Sequence, residues 1–131
     1  MMKNLIIEAV PDSPYYPEVK FDASTGICEL IGESYMEEAY KFYTPLLNWL
    51  KEFCTTEKRP LLFNVRLTYF NTNSSRLLLD LLDILKKYSD NGGDVSIVWY
   101  YDPEDADVKE EVEDFELETG LSISMKPMEI D

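Results

Sequence analysis

The chain has 131 residues, 26 acidic against 12 basic, and a formal net charge of −14. Such a charge repels phosphate backbones and anionic headgroups, so neither nucleic acid nor membrane-surface binding is expected. With no histidine and two isolated cysteines, Cys28 and Cys54, histidine-based triads are excluded and a Cys/His zinc site is not expected.

Residues 5–9 read as a short strand. The apolar run there is too brief for a signal peptide and no later run nears a membrane span, so the expected location is cytoplasmic. A Pro-rich connection leads to Glu18-Val19-Lys20-Phe21-Asp22, which alternates with period two, as does Ile27-Cys28-Glu29-Leu30-Ile31. The turn Asp22-Ala23-Ser24-Thr25-Gly26 between them, with Gly available for positive φ, predicts a β-hairpin. Ser34-Tyr35-Met36-Glu37 has the spacing of a capping box and predicts a helix carrying Ala39, Tyr43, Leu46, Leu47 and Leu50 at helical spacing. Pro45 interrupts it, predicting a kink or a fresh start with Thr44 as cap.

Residues 61–70 form the clearest strand, with Leu61, Phe63, Val65, Leu67 and Tyr69 on one face and Asn64, Arg66 and Thr68 on the other. A helix over 74–88 follows, its apolar face built from Leu77, Leu78, Leu81, Leu82 and Leu85, and Asn91-Gly92-Gly93 stops it. Residues 95–101 are almost continuously apolar, as in a central buried strand. Asp102-Pro103-Glu104-Asp105 then supplies a cap, an N1 proline and first-turn acids for a last helix, Gly120 closes it, and 121–128 read as a final strand. Strand–helix alternation in this half implies parallel pairing with right-handed crossovers. No repeat, linker or boundary divides residues 1–131, which read as a single domain.

Motifs that carry chemistry are scarce. The stretch 102–118 holds ten carboxylates and one lysine; it reads as a solvated helix, with a basic partner or a divalent cation as the functional alternative. It lacks the ligand spacing and central Gly of a calcium loop. No Gly-rich phosphate loop opens a helix, and no pair among so many acids stands out, so no catalytic residue, cofactor or metal is assigned. Trp49, Trp99, Tyr100 and Tyr101 read as core. That leaves Asn71-Thr72-Asn73-Ser74-Ser75-Arg76, at the carboxyl end of a parallel-type strand, where open α/β sheets place their sites. Its hydroxyls and amides equally suit the capping of the following helix.

Tyr69-Phe70-Asn71-Thr72-Asn73-Ser74-Ser75-Arg76 resembles the Tyr-Phe-Asn-Thr-Ser-Ser-Ser-Lys motif of the SiaC family of bacterial regulatory phosphoproteins. The likeness extends to Pro17-Glu18-Val19-Lys20-Phe21-Asp22, Ile31-Gly32-Glu33-Ser34-Tyr35, Phe42-Tyr43-Thr44-Pro45 with Trp49, and Trp99-Tyr100-Tyr101-Asp102 followed by Glu104-Asp105. It implies a STAS-like α/β domain: a mixed β-sheet with an N-terminal antiparallel hairpin followed by αβαβαβ, helices packed mainly on one face. It also implies partner switching. A Ser/Thr kinase phosphorylates Thr72, a PP2C-type phosphatase reverses this, and the unmodified form engages a target such as a diguanylate cyclase, linking the protein to cyclic-di-GMP and biofilm control. Thr72 falls on the family's acceptor threonine; Tyr69, Phe70, Asn71, Asn73, Ser74, Ser75 and Arg76 are the candidate partner contacts. Asn73 stands where the family tends to have Ser and Met36 where Pro is usual, departures that bear on partner choice. The readings of another class are a small carboxylate-based or divalent-ion-dependent enzyme and a constitutive adaptor whose Thr72 turn only caps a helix.

Overall fold

The computed structural model describes residues 2–10, 12 and 15–128. Its elements run β1 (Leu5–Ile7), β2 (Glu18–Phe21), β3 (Ile27–Ser34), α1 (Ala39–Thr56), β4 (Leu61–Phe70), α2 (Thr72–Asp90), β5 (Val95–Tyr101), α3 (Ala106–Thr119) and β6 (Ser124–Pro127). Among the described residues the strands form one six-stranded sheet in the order β1-β2-β3-β4-β5-β6. The β1–β2 and β2–β3 pairs are antiparallel; β3–β4, β4–β5 and β5–β6 are parallel. A sheet that advances one strand at each crossover, always with the same hand, collects its crossover helices on one face. Accordingly α2 lies between α1 and α3 and packs against both.

Strand alternation puts Val19, Phe21, Cys28, Leu30, Phe63, Val65, Leu67, Ile97 and Trp99 beneath the helices. There they meet Leu46, Leu50 and Phe53 of α1 and Leu78, Leu81, Leu82 and Leu85 of α2. Cys28 is buried and Cys54 half-buried; burial pushes the Cys54 thiol up to about 11, away from thiolate chemistry. The opposite face of the sheet is mixed, with Glu29, Asn64, Arg66 and Ser96 among half-buried Ile31, Leu62 and Val98. Arg66 lies 3.7 Å from Glu29 and 3.7 Å above the Tyr100 ring. Strand β5 is therefore covered on one side only, its Ile97 and Trp99 buried and its Ser96 exposed, rather than buried on both faces.

Several local expectations are overturned by tertiary contacts. Ser34 caps no helix: it ends β3, fully buried, and α1 begins at Ala39 with Glu38 as an N-cap whose side chain makes no capping bond and pairs instead with Lys41 at 2.8 Å. Pro45 neither ends nor restarts α1, and Thr44 is not a cap; its hydroxyl donates to the Tyr40 carbonyl within the same helix. The exposed position lets water serve the carbonyl that the missing proline N–H leaves free. A register shift between Gly32 and Glu33 pairs Gly32 with Leu67 but Glu33 with Tyr69, so Thr68 is an extra residue on β4. That bulge reverses the alternation beyond it. Tyr69 is turned out to 48% exposure and Phe70 is turned in, packed against Trp99 and Phe115. Helix α3 starts at Ala106, because Asp105 caps it through Asp107 and Val108, while Asp102 closes a separate turn onto the Glu104 amide. Gly120 ends α3 in the left-handed region (φ 77°), as its position predicts.

The hairpin turn depends on Gly26, which has φ 75° and would place a Cβ 2.1 Å from the Pro60 carbonyl oxygen. Its amide donates to Asp22 O and its carbonyl accepts from Leu62 N, so the turn sets the β2–β3 register and joins β4. Gly26→Ala should therefore lower the unfolding free energy by about 2–4 kcal/mol, from left-handed strain plus the backbone clash. Urea denaturation checks this; a loss below 1 kcal/mol, on the order of an ordinary Gly-to-Ala change, would contradict it.

Candidate functional site

Helix α2 begins where β4 ends, and a short set of hydrogen bonds fixes that junction. Asn71 is its N-cap, in extended conformation, with Oδ1 accepting from the Ser74 amide at 2.9 Å. Its Nδ2 donates to Met36 O at 3.1 Å, its backbone amide donates to Ser34 O at 3.0 Å, and its carbonyl accepts from Ser75 N at 2.9 Å. One side chain thus caps α2 and fastens it to the segment that follows β3. Asn73 adds a bond from Nδ2 to Glu37 O at 3.2 Å.

Beneath this junction lies a buried hydroxyl chain. The Oγ atoms of Ser34 and Ser74 are 2.7 Å apart, Ser34 Oγ is 2.7 Å from the Tyr43 hydroxyl, and Ser74 Oγ donates to Ser34 O at 3.0 Å. Each hydroxyl has one proton. Since Ser74 gives its proton to the Ser34 carbonyl, Ser34 donates to Ser74 and Tyr43 donates to Ser34, which leaves every donor satisfied. Burial pushes the Tyr43 phenol far above its ordinary value, opposed in part by the Ser34 bond, so it stays protonated to donate. Met36 Sδ lies 3.5 Å from Ser74 Oγ and 3.7 Å from Ser34 Oγ, so this departure from the family pattern packs inside.

The junction displays some of its side chains and hides others. Thr72 is exposed at the first helical position, Asn73 and Arg76 are exposed, and Ser75 is half-buried. Phe70 and Ser74 point into the interior (6% and 0% exposed) and offer no side chain to a partner. The reason is the bulge for Phe70 and the hydroxyl chain for Ser74. On one side of Thr72 runs a row of half-exposed tyrosines, with Tyr15–Tyr35 and Tyr35–Tyr69 ring centroids 5.6 and 5.5 Å apart. On the other side, between α2 and α3, opens a groove of about 340 Å³ lined by Thr72, Ser75, Arg76, Glu111, Asp114, Glu118 and the apolar Leu79 and Phe115. Partial burial and the charges of Asp105, Asp107 and Asp114 raise the Glu111 pKa above the ordinary carboxylate value. A carboxyl raised in the folded state favours folding when protonated, so Glu111 subtracts stability at neutral pH and the loss is relieved as pH falls through its folded pKa. Among the described residues no three His, Cys, Asp or Glu side chains are grouped to hold a metal ion, and no helix is long and apolar enough to cross a membrane.

Sequence reasoning missed Ser34 and Tyr43 as supports, and Glu111, Asp114 and Glu118 as neighbours of Thr72. The signal for the first pair was Tyr43 itself, a phenol on the buried face of a helix that needs an interior partner. The second group carried no signal, since α3 meets α2 only through the chain's topology.

Thr72 thus presents an exposed hydroxyl on a junction tied down by Asn71. The SiaC family regulatory phosphoprotein model matches residues 10–128, and the chain belongs to that family. An uncharacterized protein of Pseudomonas aeruginosa (strain UCBPP-PA14) is 32% identical over 106 residues, covering 81% of this chain and 84% of that one. Apo-SiaC from Pseudomonas aeruginosa has a similar structure, with a TM-score of 0.86 and 29% identity over 95% of this chain and 99% of that one. So does the SiaC bound as activator to the diguanylate cyclase SiaD of Pseudomonas aeruginosa, with a TM-score of 0.86, 28% identity, and coverage of 95% and 99%.

Ser74→Ala should cost about 1–3 kcal/mol, because the Ser34 hydroxyl loses its acceptor in a buried site. Equilibrium denaturation measures this, and a change under about 0.5 kcal/mol, the range of ordinary surface substitutions, would contradict the assigned hydroxyl chain.

Proposed function

We propose that this chain is a non-enzymatic, cytoplasmic switch protein whose Thr72 is phosphorylated by a Ser/Thr kinase and dephosphorylated by a PP2C-type phosphatase. In its unmodified form it binds and regulates a diguanylate cyclase. The observation that carries the reading is the exposure of Thr72 at the first position of α2, on a turn tied down by Asn71. Of the hydroxyls in this turn, Ser74 is buried and committed to other bonds, and Ser75 is half-buried, which leaves Thr72 the most accessible to a kinase.

Phosphorylation adds about −1.5 to −2 charges and three strong acceptor oxygens. At this position the amides of the first helical turn and the helix dipole favour such a charge by roughly 0.3–2 kcal/mol, so the fold accommodates it. A partner shaped to cover the unmodified Thr72 would, once the phosphate is present, bury an incompletely paired dianion at a cost of several kcal/mol. Since about 1.4 kcal/mol is tenfold in affinity, the second effect dominates and release follows from modification. The half-exposed tyrosines beside Thr72 support a protein partner, since aromatic rings with a polar edge suit a surface that is alternately wet and covered.

Intact-mass and peptide-level mass spectrometry of the protein from its native cells, beside Thr72→Ala, tests the acceptor. One phosphate at Thr72, absent from the variant, is expected, together with at least about a hundredfold loss of affinity for the cyclase on stoichiometric phosphorylation. A phosphate at another residue, or unchanged cyclase affinity, would overturn the reading.

A further inference from the structure

The chain has three arginines, and two of them are engaged. Arg59 pairs with Glu57 at 3.2 Å and donates to Ser24 O at 2.6 Å; Arg66 pairs with Glu29 and lies over Tyr100. Arg76 forms no ion pair and no hydrogen bond among the described residues, although it lines the same groove as Glu111, Asp114 and Glu118. Among the described residues lining that groove it is the one cation. It also stands four residues after Thr72 on α2, the spacing at which side chains on a helix share a face. In a protein of net charge −14, an exposed guanidinium with no ion pair beside three carboxylates is free for another anion.

We propose that Arg76 is the switched cation of this protein: it pairs with a carboxylate of the target while Thr72 bears a hydroxyl, and with the phosphate once Thr72 is modified. This rests on the reading of Thr72 as acceptor and names the chemistry by which that site discriminates. A phosphate tethered one helical turn away competes with any partner carboxylate at high effective concentration. It also matches the planar guanidinium with two parallel, charge-assisted hydrogen bonds. Its charge of about −2 then outweighs the single positive charge it captures. The groove, already lined by Glu111, Asp114 and Glu118, turns uniformly negative, so the target's carboxylate loses its partner and is repelled. A basic target segment docking on those acids would respond with the opposite sign, binding more tightly after phosphorylation.

The full-length chain with phosphothreonine installed at position 72 during synthesis allows a direct test by phosphorus NMR titration of the phosphate's second ionisation. Arg76→Ala should raise that pKa by about 0.5 unit or more, Arg76→Lys should retain part of the effect, and Glu111→Gln should lower it. In the unmodified chain, Arg76→Ala should weaken binding to the native cells' diguanylate cyclase about tenfold, with Glu111→Gln not weakening it. A phosphate pKa indifferent to Arg76, or a cyclase bound more tightly by Arg76→Ala and less tightly by Glu111→Gln, would overturn the proposal. Because the phosphate is placed chemically, such a failure removes the role of Arg76 and leaves the acceptor reading to be judged by mass spectrometry.

Discussion

Three buried hydroxyls hold the working end of this molecule together. Tyr43 comes from α1, Ser34 from the end of β3 and Ser74 from the first turn of α2, and their protons pass in one direction to the Ser34 carbonyl. An unpaired hydroxyl in that interior would cost about 1–3 kcal/mol, roughly twice the net gain of a typical hydrogen bond, so a partly formed chain is disfavoured. Asn71 closes the arrangement from above, using its side chain and both its backbone groups. Everything displayed at the surface, Thr72 above all, inherits its position from this junction.

The division of labour follows from topology. A sheet that advances strand by strand leaves one face free of helices and gathers them on the other, so α2 is flanked by both α1 and α3. The α1 side supplies the support, through Tyr43 and the Met36 carbonyl. The α3 side supplies the electrostatics, because its acids border the groove into which Thr72 and Arg76 face. Phe115, packed against both Phe70 and Trp99, anchors α3 at that distance. A residue modified here can change what the groove attracts without disturbing the hydroxyls that hold it.

Much of this was legible in the sequence, for reasons that differ along the chain. Period-two runs at 18–22 and 27–31 and the left-handed Gly26 are locally determined, and the hairpin they predict forms, with β2 ending at Phe21 and β3 running on to Ser34. The apolar face of α2 and the stop at Gly120 are equally local. Ser34 was not legible, because Ser-x-x-Glu has the same spacing whether it caps a helix or ends a strand, and only burial against Ser74 decides. Nor was the Thr68 bulge, which turns Tyr69 outward and Phe70 inward, since an extra residue is defined only against the partner strand. The family motif marked Thr72 but not its acidic surroundings, which arise from residues about forty positions away in the chain and join α2 only after folding.

Amide hydrogen exchange on the chain with and without phosphate at Thr72 probes the central relation most directly. A junction held by the hydroxyl chain and Asn71 predicts unchanged protection at the end of β3 and through α2 beyond its first turn, with differences confined to the groove. Loss of protection at Ser34 and Leu78 on phosphorylation would contradict it, and would mean that the modification works by undoing the junction.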